Sequence, residues 1–109
     1  MSEPNEQQPL AFGLKPGVIH EMTRVFASHP EVEQVILYGS RATGNFKAGS
    51  DIDICMSGQD LTISLLLRID TELDDLLLPY KIDLSILDHI NNPDLLAHIQ
   101  RAGVCFYRR

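Results

Sequence analysis

The segment Leu37-Tyr38-Gly39-Ser40-Arg41-Ala42-Thr43-Gly44, with Ser50-Asp51-Ile52-Asp53-Ile54 soon after it, constrains the fold more than any other part of the chain. Val35 to Tyr38 is a short, unbroken apolar run, the pattern of a buried strand. Gly39 ends the strand. Ser40 suits the N-cap of a short helical turn through Thr43, and Gly44 suits its close. Residues 45–50 read as a loop and residues 51–56 as a second strand. Side chains alternate along a strand, so Asp51 and Asp53 share one face, with Cα atoms about 7 Å apart. Ile52 and Ile54 then face a core.

The remaining elements follow from periodicity and punctuation. Ile19, Met22, Val25 and Phe26 recur at helical spacing between Pro16 and about His29, where Pro30 stops the run. Leu61, Leu65, Ile69, Leu73 and Leu76 mark the apolar face of a long helix, expected from Leu61 to about Leu78, with Asp60 as cap and Pro79 as stop. Tyr80 to Leu87 reads as a third strand, carrying Asp83 on the face opposite Ile82, Leu84 and Ile86. Asn92-Pro93-Asp94 opens a helix that runs to about Ala102, and Val104 to Tyr107 forms a short edge strand. This order predicts a single α/β layer structure. Residues 1–13, polar and rich in Pro, Gln and Glu, are expected to be a disordered arm, leaving 14–109 as one domain.

Three aspartates in strand contexts need a reason. If the strands are neighbours, Asp51, Asp53 and Asp83 converge, and like charges so placed repel. Hard divalent cations with oxygen ligands resolve this, and magnesium combines one or two carboxylates with substrate phosphates. The pattern suits two-metal phosphoryl-group chemistry, with Asp51 and Asp53 bridging both ions and Asp83 activating an attacking hydroxyl. The turn supplies the complement. Gly39 lets backbone approach a phosphate, Ser40 offers a hydroxyl, and the amides of the following turn carry partial positive charge. Arg41 is expected on the triphosphate, with Lys47 in reach from the loop; an ion pair between Arg41 and the aspartates is the competing reading.

Composition narrows the partners. The net charge of −6, from 15 acidic and 9 basic residues, disfavours long nucleic acid. It permits a nucleotide whose charge is met by metal. Cys55 and Cys105 both read as reduced core thiols. No apolar run approaches the roughly 20 residues of a membrane span, and nothing resembles a signal peptide, so the cytoplasm is the expected location. His20, His29, His89 and His98 show no ligand spacing and read as ordinary surface or half-buried residues. Asp70, Glu72, Asp74 and Asp75 read as a solvated helix face, with docking of a basic partner as the alternative.

Gly39-Ser40-Arg41-Ala42-x-Gly44, ten residues between Ser40 and Asp51, Ser50-Asp51-Ile52-Asp53 and a later strand aspartate resemble the minimal nucleotidyltransferases (MNT-type) of the DNA polymerase β superfamily. The resemblance spans about residues 17–107. It implies a mixed β-sheet with helices packed on it. It also implies transfer of a nucleoside monophosphate from an NTP, chiefly ATP, to an acceptor hydroxyl, with two Mg²⁺ ions and release of pyrophosphate. By motif match, Gly39 and Ser40 are the phosphate-binding pair and Asp51, Asp53 and Asp83 the metal ligands. Small stand-alone members are similar to antitoxins paired with a helical HEPN-type partner, which some are thought to adenylylate. A HEPN-type partner protein is therefore the expected acceptor.

Two other functions are compatible with these residues. A non-catalytic antitoxin would neutralise its partner by complex formation, independently of Asp51. A small-molecule modifier of the aminoglycoside type would need an acceptor-binding domain beyond this one. Oligomeric state is open, a homo-oligomer included.

Overall fold

The computed structural model describes residues 10–109. In chain order it contains α1 (Pro16–Ala27), β1 (Gln34–Tyr38), α2 (Ser40–Thr43), β2 (Ile52–Ser57), α3 (Ile63–Asp74), β3 (Ile82–Ile86), a 3₁₀ turn (Leu87–His89), α4 (Pro93–Ala102) and β4 (Val104–Arg108). The strands form one sheet in the order β3-β2-β1-β4. β1 runs antiparallel to β2 and to β4, whereas β2 and β3 are parallel. A parallel pair needs a crossover, and α3 provides it. This is the expected α/β architecture with a mixed sheet.

Both faces of the sheet are covered, which explains why β1 and β2 read as nearly continuous apolar runs. On one face Val35, Leu37, Ile52, Ile54 and Met56 pack against Met22 and Phe26 of α1 and Ile69 and Leu73 of α3. On the other, Ile36, Tyr38 and Cys55 meet Ile99 and Leu95 of α4. β4 slips register against β1 between Val35 and Ile36. This bulge lets the adjacent residues Phe106 and Tyr107 both reach the first core. Their rings lie 6.2 Å from Phe12 and 6.1 Å from Phe26, respectively.

Three sequence expectations change. The long helix starts later, at Thr62, whose Oγ1 accepts from the Leu65 amide at 3.2 Å; Asp60 lies in the preceding turn. It also ends earlier, at Asp75. Leu76 and Leu78 remain packed against the core, while Leu77 adopts φ 55° and is 87% exposed. Apolar spacing alone cannot separate the last turn of a helix from an anchored exit, and Pro79 disfavours helical geometry at Leu78. Cys55 is buried, and that burial pushes its thiol up to about 11. Cys105, by contrast, is exposed, because β4 is an edge strand flanking a cavity of about 540 Å³ lined by Ile36, Ile99 and Val104 among others.

Of the arm expected over 1–13, residues 1–9 lie outside the described residues. Ala11 and Leu14 bridge in a tight turn, and Leu14 is fully buried. Among the described residues no helix is long and apolar enough to cross a membrane.

Candidate active site

The site forms where β1 ends beside β2 and β3. Tyr38 pairs with Asp53 across the antiparallel ladder, and Asp53 pairs with Asp83 across the parallel one. Residues in register on adjacent strands project to the same face, with strands about 4.8 Å apart. Asp53 therefore stands between the end of β1 and Asp83. It is half-buried, whereas Asp83 is exposed and Asp51 lies exposed just before β2. Burial first, then the charges of Asp83 and Asp51, raise the Asp53 carboxyl above its ordinary range, and His98 opposes them. Among the described residues, no three acidic, histidine or cysteine side chains close into a metal cage. The three aspartates line an open rim rather than meeting at one point.

The turn after β1 is shaped by Gly39. It adopts φ 76°, ψ −157°, a region essentially confined to glycine. A Cβ here would run into Oδ2 of Asp53. The turn and the carboxylate are thus packed as closely as backbone allows. Gly39→Ala is expected to cost about 1–3 kcal/mol from backbone strain, before the clash with Asp53 is counted. Thermal denaturation checks this; an unchanged melting temperature would refute the close approach.

α2 follows at once. The carbonyl of Gly39 accepts from the Ala42 and Thr43 amides, and that of Ser40 from the Gly44 and Asn45 amides. Ser40 is half-buried at the helix start. The Ser40 and Arg41 amides have no acceptor within so short a helix.

Arg41 departs from expectation. Its side chain is buried, and it donates to the carbonyls of Ser50 (3.1 Å), Phe12 (2.9 Å) and Ala48 (3.2 Å). Its guanidinium lies 5.3 Å from the Phe46 ring centroid and 4.9 Å from that of Tyr80. Among the described residues it pairs with no carboxylate, and its bonds clamp the loop leading to Asp51. Lys47 stays exposed on that loop.

His98 is the residue that sequence reasoning missed. Its Nε2 accepts the Gly39 amide at 3.0 Å, and its ring meets Tyr38 edge-on at 6.3 Å. No local pattern signals this, because the contact depends on how α4 lies across β1. Tyr38 itself is raised above its ordinary pKa by burial, then by Asp83, Cys55 and Asp53, against a bond with Ser85.

The donor set tests the expected cation. Asp51, Asp53 and Asp83 offer carboxylate oxygens without thiolate or imidazole, which suits magnesium. Asp53, whose carboxyl is raised by burial and by the charges of Asp83 and Asp51, is a group whose ionised form a divalent cation would stabilise.

Residues 20–109 match the family described as Polymerase beta, Nucleotidyltransferase. The chain belongs to this nucleotidyltransferase family. No sequence among curated proteins matches it. Among solved structures, this nucleotidyltransferase is similar to a chain of a toxin–antitoxin with AMP-PNP, with TM-score 0.67 and 20% identity over 84% of this chain and 73% of that one. It is also similar to a chain of the tri-AMPylated Shewanella oneidensis HEPN toxin in complex with MNT antitoxin, with TM-score 0.62 and 18% identity over 84% and 71%. A chain of the toxin–antitoxin MntA-HepT gives TM-score 0.63 and 18% identity over 87% and 74%. At such identities the likeness is one of fold, and it agrees with the MNT-type resemblance of the motifs.

Proposed function

We propose that this chain is a magnesium-dependent nucleotidyltransferase that transfers AMP from ATP to a hydroxyl of a HEPN-type partner protein in the cytoplasm, releasing pyrophosphate. The observation that carries this reading is the packing of the Gly39 turn directly against Asp53, with Asp83 in register beside it. Phosphate-binding backbone and acidic rim thereby adjoin each other. The AMP-PNP and AMPylated-toxin complexes of similar structures support the nucleotide and the acceptor. The net charge of −6 favours a protein acceptor over a nucleic acid.

Asp51 and Asp53 would hold two Mg²⁺ ions, and Asp83 one of them. Bound magnesium supplies positive charge to the phosphates and to the attacking and leaving oxygens. Ser40 and the first amides of α2 orient the triphosphate. The acceptor oxygen bonds the α-phosphorus as the bond to the bridging oxygen breaks, and the electron pair leaves with pyrophosphate. Asp83 accepts the hydroxyl proton. Incubation with α-phosphate-labelled ATP, magnesium and a lysate of the source cell is expected to label one protein band. Asp51→Asn should abolish that label.

Neutralisation by binding alone is favoured by a different observation. Ile63 and Leu67, one turn apart on α3, are 55% and 60% exposed. That reading predicts a stable complex that survives Asp51→Asn and yields no labelled band with any of the four NTPs.

A further inference from the structure

Gly39 touches both halves of the site, and its own polar groups are fully engaged. Its carbonyl accepts from the Ala42 and Thr43 amides at 3.1 and 3.2 Å. Its amide leaves the turn altogether and donates to His98 Nε2 at 3.0 Å. A backbone N–H only donates, so Nε2 presents its lone pair and Nδ1 carries the ring hydrogen. The glycine conformation is thus held from within α2 and from α4 at once.

The imidazole is itself held in place. It is half-buried, edge-on to Tyr38 at 6.3 Å, on a helix anchored by Leu95 and Ile99 against Tyr38 and Cys55. Two contacts hold its ring, the bond to the Gly39 amide and the edge of Tyr38. A water molecule could satisfy the Gly39 amide equally well but would not fix its direction.

We propose that His98 is a positioning residue for nucleotide binding: its Nε2 pins the Gly39 amide, and so sets where the following amides and the Asp53 carboxylate stand relative to each other. The assignment rests on the nucleotidyltransferase reading above and adds to it a residue outside the strand–turn–strand motif.

The test uses the ¹⁵N-labelled full chain, with ATP and Mg²⁺ as probe. His98→Ala should shift the Gly39 amide resonance upfield, speed its hydrogen exchange, and weaken ATP binding about three- to tenfold, the loss of one neutral hydrogen bond. His98→Gln places an acceptor oxygen near the position of Nε2 and should restore both readouts, with ATP affinity within about twofold of wild type. A residue that merely packs would not be rescued by Gln in this way. An unmoved Gly39 resonance in His98→Ala overturns the proposal, as does a shifted resonance with unchanged ATP affinity. Wild-type protein that binds no ATP sinks the nucleotide reading and this assignment with it. The wild-type titration separates that case from a failure of His98 alone.

Discussion

Asp53→Asn is expected to abolish nucleotidyl transfer while raising the melting temperature of the protein measured without divalent ions. The two effects share one cause. Asp53 is half-buried, sits in register with Asp83, and has its carboxyl raised by burial, by Asp83 and by Asp51. A carboxyl raised in the folded state favours folding while it is protonated. That contribution is fully present below its ordinary value of 3.8 and is lost as pH rises through the higher folded value. At neutral pH the ionised group therefore opposes folding, and the isosteric amide relieves it. Like charges facing each other across a strand pair cost about 0.2–1 kcal/mol, and a domain of this size gains about 4–8 °C per kcal/mol. The variant should melt a few degrees higher at pH 7, and the difference should vanish near pH 3.5. Transfer should fall at least about a hundredfold, as when one preorganised electrostatic partner is removed. Thermal denaturation across pH, with and without magnesium, reads the first effect, and label incorporation reads the second. Magnesium should stabilise wild type and leave the variant nearly unchanged. A variant that melts lower at neutral pH would make Asp53 a structural acceptor instead.

The parts of this molecule that were legible in the sequence are those fixed by local periodicity. β1 and β2 stand out because both their faces are covered, and Asp53 alternates with Ile52 and Ile54 as expected, whereas Asp51 lies just before β2, outside the strand alternation expected to set its face. Asp83 was legible for the same reason, as a charge alternating with Ile82 and Leu84. What local pattern cannot show is which distant groups meet. Leu76 and Leu78 continue a helical spacing whether or not the backbone does, so spacing alone sets the exit from α3 too late. Cys105 looks like a core residue by its type, and even on an expected edge strand the sequence does not show which of its faces stays open. His98 has no signature because its partner is a backbone amide on another element. Arg41 is the clearest case. Its place in the motif suggested a phosphate ligand, whereas its partners are carbonyls contributed by two separate segments of chain.

Arg41→Ala is accordingly expected to be strongly destabilising. The guanidinium is 2% exposed, and three of its five N–H groups are spent on the carbonyls of Phe12, Ala48 and Ser50. Two aromatic rings flank it. Truncation leaves a cavity and strips three acceptors of their partner, at about 1–3 kcal/mol for each that stays buried. A loss of about 3 kcal/mol or more is a large share of the roughly 5–15 kcal/mol that holds a domain together. Arg41→Lys should recover little of it, since one ammonium on a flexible stem cannot reproduce a planar fork aimed at three carbonyls. Urea denaturation measures both losses. Hydrogen exchange should show the segment from Ala48 to Ser50 opening first, because two of the three bonds end there. That segment leads straight into Asp51, so the clamp also governs where the first carboxylate of the rim stands. The alternative, Arg41 as a direct phosphate ligand, predicts the reverse pattern: Arg41→Lys would fold as stably as wild type and lose only affinity for ATP. The guanidinium, buried and bonded through each of its three nitrogens to backbone carbonyls, argues for the clamp.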